Sequence, residues 1–414
     1  MNYSDTGKVK ISGIDWMISY IGWRSRSCPL QRNNFSVAVN VSDFFCFEEF
    51  SKKIASLKKI KKFLSGSVKR VLPDWEPYWY YKSGEGEGII CEKNTSDTES
   101  EISNELPVGV SLKIVYFEKS KQIVFTFRHS VFDGVGAEKF ISQLFQAEPL
   151  DRIPLREMPI DIAAMKKSGQ ELQKVMRQFP EKEILRIPNE RGDVKNFFDT
   201  IRITPEEYTS LHKNIERKYG PFSVSLFILA LILCNLEKHV FSKISDKKYV
   251  FIPMSVDLRN QQKDVDDEFF NHWSLMPLLI ARSVIQEGVD ATVQNLKKLY
   301  SNALSIRLPQ LFFKAADAMK YVPFRAIDLF VRFQPGKTLG TFMFSFLNSD
   351  HCINDEISNL CHFPQMPNGN NLGVFVNLYN NNLNIIISRH SLEDDKRFEN
   401  FLQDVKNQLL EEVK

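Results

Sequence analysis

The sequence predicts a mixed α/β protein built from two similar halves, each a mixed sheet flanked by helices. Three observations support this fold class. Short β-branched and aromatic runs alternate with longer stretches of helical periodicity. A charged segment punctuated by prolines, 151–196, separates the halves as a linker. An Arg-His-Ser triplet follows an apolar run in each half, at Arg128 and at Arg389. We therefore expect domains over 1–150 and 197–414.

In the first half the predicted elements follow one another closely. The β-branched and aromatic run 123–127 predicts a buried strand, and the apolar spacing over 135–145 predicts a helix directly after it. The polar stretch 93–105 has almost no apolar residues, so we expect a mobile loop there.

The linker and the second half contain a comparable series of elements. Helix start signals, apolar runs and turn residues mark their boundaries. The predicted elements are a linker helix over 162–179, a strand over 197–203, a helix starting at 204–207, a buried helix over 222–240, a hairpin of 374–379 and 383–387, and an amphipathic helix over 394–413.

Length and composition narrow the class of protein. A chain of 414 residues with 43% apolar content is large enough for two or three domains with substantial cores. The formal net charge of +3 makes nucleic acid a poor partner. The longest apolar stretch, 224–234, is far shorter than the ~20 residues that span a bilayer, so we expect a buried helix and no transmembrane segment.

Cysteine usage and the amino terminus point to the cytoplasm. The six cysteines include no Cys-x-x-Cys pair and no histidines at zinc-finger spacing, which argues against a metal site or a disulfide framework. The first residues lack a charged region followed by an apolar run, so no secretory leader is apparent. We expect a cytoplasmic monomer with reduced thiols.

The most informative segment is RHSVFDG over 128–134, because it brings together His129, Asp133 and Gly134 where a strand ends. A histidine near its ordinary pKa can take a proton from a hydroxyl or amine and return it to a leaving group. A purely structural interpretation is equally simple: Asp133 caps the next helix, Gly134 provides an unusual backbone angle and His129 ends the strand.

A strand that ends in His-x-x-x-Asp-Gly, in the first of two such domains, resembles the chloramphenicol-acetyltransferase-like superfamily of acyltransferases. Its members include polyketide-associated acyltransferases, alcohol acyltransferases, the plant BAHD enzymes and condensation domains of peptide synthetases. Residues 35–41, followed by 47–60, resemble the family's early strand and helix. The run 250–259, VFIPMSVDLR, resembles the family's strand ending in Leu-Arg. Residues 270–271 and 344–348 stand where the family carries Gly-Asn and Ser-Asn segments. The resemblance implies two similar domains with a tunnel between them.

The resemblance also implies roles for individual residues. His129 would be the general base that deprotonates the hydroxyl or amine of a small-molecule acceptor as it attacks an acyl thioester. Arg259 would pair with Asp133, although a solvated arginine at a strand end fits as well. Asn348 would donate to the oxyanion, although a turn-forming Asn fits as well. The second His-containing triplet, at His390, would lie away from the reaction centre.

The implied chemistry needs no permanently bound cofactor and no metal; acyl-CoA or a phosphopantetheine thioester on an acyl carrier protein is the co-substrate, in secondary metabolism. Two departures from the family matter. Arg128 replaces the first of two adjacent histidines of condensation domains, and the Asp-Phe-Gly-Trp-Gly signature of plant enzymes is absent. Alternatives to an acyl-CoA-dependent enzyme are a condensation-type catalyst with a carrier-bound donor and an inactive relative that binds a partner.

Two further groups of residues have open interpretations. The segment 52–70 carries eight basic residues among apolar positions at helical intervals, which predicts an amphipathic helix with a positive face. That face is either simply solvated or attracts coenzyme A phosphates, an acidic carrier protein or an anionic membrane. The remaining histidines have no Asp-Gly companion and are expected at the surface or at helix ends: His212, His239, His272, His351 and His362.

Overall fold

A computed structural model of the chain shows how these segments are arranged. It describes residues 7–24, 33–70, 76–81, 87–94, 102, 106–148, 151–153, 161–187, 196–259, 270–333, 340–349, 352, 354–366, 371–390 and 396–414. Most of the predicted loop 93–105 and the predicted surface residue His351 lie outside these ranges.

The first half contains seven strands and four helices among the described residues, and a further helix, α5, lies in the linker. In chain order they are β1 (Lys8–Lys10), α1 (Gly13–Arg24), β2 (Asn34–Val41), α2 (Phe47–Ser56), α3 (Lys58–Leu64), β3 (Ser67–Lys69), β4 (Tyr78–Tyr80), β5 (Gly88–Asn94), β6 (Val110–Phe117), β7 (Gln122–Arg128), α4 (Gly134–Leu144) and α5 (Ile162–Met176).

The second half continues with strands and longer helices. They are β8 (Asn196–Ile203), α6 (Pro205–Tyr219), α7 (Val224–Leu236), β9 (Tyr249–Asp257), β10 (Trp273–Ala281), α8 (Arg282–Gln286), α9 (Val289–Ser305), α10 (Leu308–Met319), α11 (Phe324–Phe333), β11 (Met343–Asn348), β12 (Ile357–Pro364), β13 (Leu372–Tyr379), β14 (Asn382–His390) and α12 (Lys396–Val413).

Two large mixed sheets form the centres of two lobes, which confirms the predicted fold class. The sheet of the first lobe has the strand order β12-β2-β7-β6-β5, and that of the second has the order β10-β9-β11-β13-β14-β8. Strands β5 and β6 pair in parallel, as do β9 with β11 and β11 with β13, whereas the other pairs are antiparallel. A small sheet, β1-β4-β3, lies beside the first lobe.

Strand β12 crosses from the second half of the chain into the sheet of the first lobe. It pairs antiparallel with β2, so that Leu360 lies opposite Val39 and His362 lies opposite Val37. The boundaries 1–150, 151–196 and 197–414 remain predictions, but the two sheets do not follow them strictly. A strand distant in sequence therefore contributes its side chains to the space between the lobes.

The predicted helix over 47–60 and the predicted amphipathic helix over 52–70 are both interrupted. The chain leaves helical geometry at Leu57 (φ −75°, ψ 65°), and α3 then begins a new axis. The backbone N–H groups of Lys59 and Ile60 donate to Asp151 Oδ1 at 2.8 and 3.0 Å, which satisfies the new helix start. Lys69 belongs to strand β3, so the expected continuous positive helix face is wrong.

Each lobe buries its own core, and α7 is central to the second. Nearly all its residues are inaccessible, as expected for the apolar run 224–234. The helical stretch Val224–Ile244 is longer than this run because a π-helical turn, Glu237–Phe241, continues it. By length and composition it could cross a membrane, yet 78% of its most apolar window is buried in the protein. We interpret it as a core helix.

Helix α1 of the first half packs directly on α10 of the second half. A Cβ at Gly13 would lie 2.0 Å from the carbonyl oxygen of Ala316, so only glycine permits this approach. The Gly13 N–H donates to Asp317 Oδ1 at 2.7 Å, and Trp16 Nε1 donates to the carbonyl of Val322 at 3.0 Å. The packing of α1 against α10 thus joins the two halves.

We expect Gly13→Ala to destabilise the protein by about 1–3 kcal/mol, because the methyl group would force α1 and α10 apart. Gly22→Ala is the matched control in the same helix, since no described atom lies within 4 Å of its Cβ position. That control should gain up to about 1 kcal/mol from helix propensity. Urea unfolding of both variants measures the difference, and equal midpoints would contradict the packing argument.

Candidate active site

His129 lies directly after β7, where the chain leaves the sheet. Its Nδ1 is 3.0 Å from the carbonyl oxygen of Phe132. Because a carbonyl only accepts, Nδ1 carries the proton and Nε2 presents a lone pair. The ring packs edge-on against Phe35, with centroids 5.3 Å apart, and lies 6.2 Å from the ring of Trp273.

The surroundings of His129 favour its neutral form. Burial lowers the pKa of this imidazole, and the hydrogen bonds and the nearby Asp133 oppose the shift without cancelling it. The backbone of His129 is held from both lobes: its N–H donates to the carbonyl of Asn33 at 3.2 Å, and its carbonyl accepts from Asn271 Nδ2 at 2.8 Å. The residue is therefore held in place by both lobes, in an environment that favours the neutral ring.

Asp133 begins α4 and holds the loop rather than the histidine ring. Its Oδ1 accepts from the Gly136 N–H at 2.6 Å and from Arg259 Nη2 at 2.9 Å, and its Oδ2 accepts from the His272 N–H at 2.8 Å. The side chains of Asp133 and Arg259 are 5% and 1% exposed, so the ion pair expected from the resemblance is present and buried. A solvated position for Arg259 is thereby excluded.

A second carboxylate, that of Asp257, completes the charges around Arg259. Asp257 Oδ1 accepts from Arg259 Nη1 at 2.8 Å. Burial raises the pKa of Asp257, and the nearby Asp133 adds to the rise, while Arg259 opposes it. Burial would lower the pKa of Arg259, but the two carboxylates more than compensate, and the pKa is raised. The guanidinium thus remains charged and bridges the first lobe to the end of β9.

Gly134 has a different role from the one expected of its backbone. Its φ is not positive, so the predicted need for an unusual backbone angle is wrong. A Cβ at this position would instead lie 2.9 Å from Leu347 Cδ1 and 3.6 Å from His362 Cε1. A methyl group here would displace the end of the Leu347 side chain, because side chains of the second half come close to the first turn of α4.

A cavity of about 190 Å³ lies between the two sheets and includes His129 in its wall. Most of the wall is apolar, with α1 contributing on one side and β9, β10 and β11 on the other. Its lining residues include Ile14, Ile18, Phe35, His129, Gly134, Ser255, Trp273, Ser345, Leu347 and His362. The structure therefore brings His129, Asp133, Gly134 and Arg259 to one cavity, which corresponds to the predicted tunnel between domains.

Asn348, the expected oxyanion donor, is not brought to this cavity. It ends β11 on the exposed side and is absent from the cavity wall. Ser345, three residues earlier, faces the cavity instead. Phe344 pairs with Met254 in the parallel register, so Ser345 lies beside Ser255 of β9, and both line the wall. Ser255 and Ser345 therefore lie at the cavity wall, whereas Asn348 does not.

Two of the remaining histidines are not at the surface, contrary to expectation. His272 is 4% exposed and His362 is 2% exposed, because each belongs to a segment between the lobes. His212 and His239 lie on helical segments and contact Glu216 and Asp404 respectively. His390 ends β14, where its Nε2 donates to the carbonyl of Met366 at 3.0 Å, and it does not line the cavity.

The fold is shared with known acyltransferases and condensation domains. Trichothecene 15-O-acetyltransferase TRI3 from Fusarium sporotrichioides is similar over 98% of this chain and 95% of its own, with 14% identity and a TM-score of 0.72. Polyketide synthase associated protein 5 from Mycobacterium tuberculosis covers 97% of both chains, with 13% identity and a TM-score of 0.61.

A third similar structure is the starter condensation domain of rhizomide synthetase RzmA, solved with C8-CoA and Leu-SNAC. It covers 99% of this chain and 95% of its own, with 9% identity and a TM-score of 0.60. No family model and no curated protein matches the sequence. The chain has the two-lobed condensation-domain and acyltransferase fold. This two-lobed architecture agrees with the one that the family resemblance implies.

We expect Arg259→Met to destabilise the protein by about 3–5 kcal/mol, because it leaves the buried Asp133 and the half-buried Asp257 without their cation. The control is Arg389→Met, which removes a 2.9 Å ion pair with Asp199 in which both side chains are more exposed, 20% and 28%. That control should cost at most about 1 kcal/mol. Urea unfolding provides both free energies of unfolding. An equal loss of stability in the two variants would contradict a larger contribution from the buried Asp133–Arg259 pair.

Proposed function

We propose that the chain is an acyltransferase that moves an acyl group from acyl-CoA to a hydroxyl or amine of a small-molecule acceptor, with His129 as general base. The observation that carries this proposal is the state of the His129 ring. Its tautomer is set by the Phe132 carbonyl, its pKa is lowered by burial and it lies in the wall of the cavity. A neutral imidazole held in this way at the wall of an apolar cavity is suited to proton abstraction.

In the proposed reaction, His129 Nε2 takes the proton of the acceptor as its oxygen or nitrogen attacks the thioester carbonyl carbon. The carbonyl oxygen becomes an oxyanion, toward which the hydroxyls of Ser255 and Ser345 donate. The tetrahedral intermediate then collapses, the carbon–sulfur bond breaks, and the thiolate receives the proton from Nε2. Asp133 does not relay protons in this scheme, because its oxygens accept from Arg259, Gly136 and His272.

The shape around His129 supports access by two substrates. A second recess of about 620 Å³ includes Arg128 and Ser130, the neighbours of His129, in its wall. It shares Ile18, Asn33 and Asn34 with the central cavity. The thioester and the acceptor would approach His129 from these two recesses. The neighbouring structures support this chemistry, since one is called an O-acetyltransferase and another was solved with an acyl-CoA.

His129→Ala should lower the rate of acyl transfer by about 10²–10⁴, because the proton would no longer have an acceptor at the attacking atom. The assay is thiol release from acetyl-CoA in the presence of a panel of alcohols and amines. The fold should be unchanged by circular dichroism. His212→Ala is the control, since His212 lies on α6 with 43% of its side chain exposed. Wild-type turnover in His129→Ala would refute the proposed role.

The pH dependence of kcat/KM should follow the lowered pKa of His129. Only the neutral ring accepts a proton, so activity rises with pH as the imidazolium loses its proton. A pKa below the ordinary value places the midpoint of this rise below about pH 6.5. Rates measured between pH 4.5 and 8 in a constant-ionic-strength buffer series would show it. A midpoint above the ordinary value would contradict the assignment of the base or its environment.

A further inference from the structure

The cavity wall contains a second imidazole, that of His362, which the proposed acyl transfer does not use. It belongs to β12, the strand that crosses into the first lobe. Its ring stacks on Phe35 with centroids 6.3 Å apart, while the His129 ring contacts the same Phe35 at 5.3 Å. The two imidazoles are therefore neighbours around one phenyl ring in one cavity.

A buried carboxylate fixes the orientation of His362. Glu138 Oε1 accepts from His362 Nε2 and from Ser349 Oγ, each at 2.6 Å, and from Asn377 Nδ2 at 3.4 Å. Asn377 Nδ2 also donates to Ser349 Oγ at 2.6 Å. All four side chains are buried. Because Nε2 is the donor toward Glu138, the other nitrogen, Nδ1, is left to interact elsewhere.

The edge of the His362 ring that carries Nδ1 lies beside Gly134 in the cavity wall. Glu138 is one helical turn after Gly134 on α4, so both project from the same face of the helix. A Cβ at Gly134 would be 3.6 Å from His362 Cε1 and 3.8 Å from Nδ1. Nδ1 has no hydrogen-bond partner among the described residues, and His362 lines the cavity.

The network exceeds what packing alone requires. Joining the lobes at this point would need only an apolar contact, whereas burying an imidazole and a carboxylate is costly unless each is hydrogen-bonded. Three hydrogen bonds of this cluster end on Glu138 Oε1, and together they aim the ring so that an acceptor nitrogen lies on a mainly apolar wall. A group in a ligand that donates a hydrogen bond would complete the site.

We propose that His362, positioned by Glu138, accepts a hydrogen bond through Nδ1 from a hydroxyl or N–H group of the substrate in this cavity. The cavity then selects hydrocarbon-like substrates that carry such a donor in addition to the reacting group. This inference rests on the proposed function where it calls the bound molecule a substrate. The hydrogen bond from a bound molecule to His362 is tested independently of acyl transfer. The donor group belongs either to the acyl chain of the thioester or to the acceptor.

Matched probe pairs test the proposal by binding alone. Butyryl-CoA and 3-hydroxybutyryl-CoA form one pair, and octan-1-ol and octane-1,8-diol form the other, each titrated calorimetrically into the full-length protein. In at least one pair the hydroxylated probe should bind about tenfold more tightly, as expected for one additional hydrogen bond. The pair that shows the preference identifies the acyl chain or the acceptor as its source. No preference in either pair would overturn the proposal.

Variants separate recognition from a structural role. His362→Phe keeps a ring but should abolish the preference, and a preference that persists in this variant would overturn the proposal. Glu138→Gln retains an acceptor for Nε2 and should keep the preference, whereas Glu138→Ala should lose it. The two Glu138 variants test the proposal even if His362→Phe does not fold. An unchanged preference in Glu138→Ala would refute the positioning role.

The matched control is His239→Phe, which removes a 2.8 Å contact between a histidine and Asp404 outside the cavity. It should leave the preference unchanged; a loss equal to that of His362→Phe would overturn the assignment to His362. The proposed function fails separately, because it is judged by thiol release. Transfer without the preference would refute only this inference, and the preference without transfer would refute only the proposed function.

Discussion

The buried ion pair between Asp133 and Arg259 is the interaction on which the site depends. Asp133 starts the helix that follows the His129 loop in the first lobe, and Arg259 follows the long strand β9 in the second. The Asp133 carboxylate also accepts a hydrogen bond from the His272 N–H. Two segments of the second half, at Arg259 and at His272, therefore bind this one side chain. Asp133, which takes no part in the proposed proton transfer, therefore holds His129 in position relative to the second lobe.

Because this ion pair is buried, several polar groups surround the Arg259 guanidinium. A guanidinium that is 1% exposed loses its hydration and needs several partners. Asp133, Asp257 and the carbonyl of Phe270 supply them, and burial raises the pKa of Asp257 despite the nearby cation. The crossing strand β12 adds a second polar connection, from His362 to Glu138, within one helical turn of Gly134. The cavity therefore has an apolar body and a polar wall shared by both lobes.

Local features of the site were predictable from the sequence, whereas contributions from distant segments were not. The composition of 123–127 and the Asp-Gly pair mark a strand, a cap and a helix start, and the structure contains β7, Asp133 and α4 there. The break at Leu57 depends on Asp151, which is about ninety residues away, so periodicity alone could not show it.

The histidines show the same limit. His362 lies in a run that contains no turn or motif signal, and its burial follows from the pairing of β12 with β2 across more than three hundred residues of sequence. The family resemblance implies Asn348 as the oxyanion donor. In the structure, side chains alternate along β11, so that Ser345 lies at the cavity and Asn348 lies at the exposed end of the strand. The one available sequence signal for Ser345 was its place in that alternating strand.

The most direct test of a thioester site between the lobes is a thermal-stability series with free CoA and acyl-CoA thioesters of increasing chain length. A ligand at a hundred times its Kd stabilises the folded state by about 2.7 kcal/mol, which visibly raises the Tm. Our account predicts that stabilisation grows with acyl length, as more of the chain enters the apolar cavity, and then falls when the cavity is full. An identical Tm for free CoA and every acyl-CoA, at concentrations up to solubility, would contradict it.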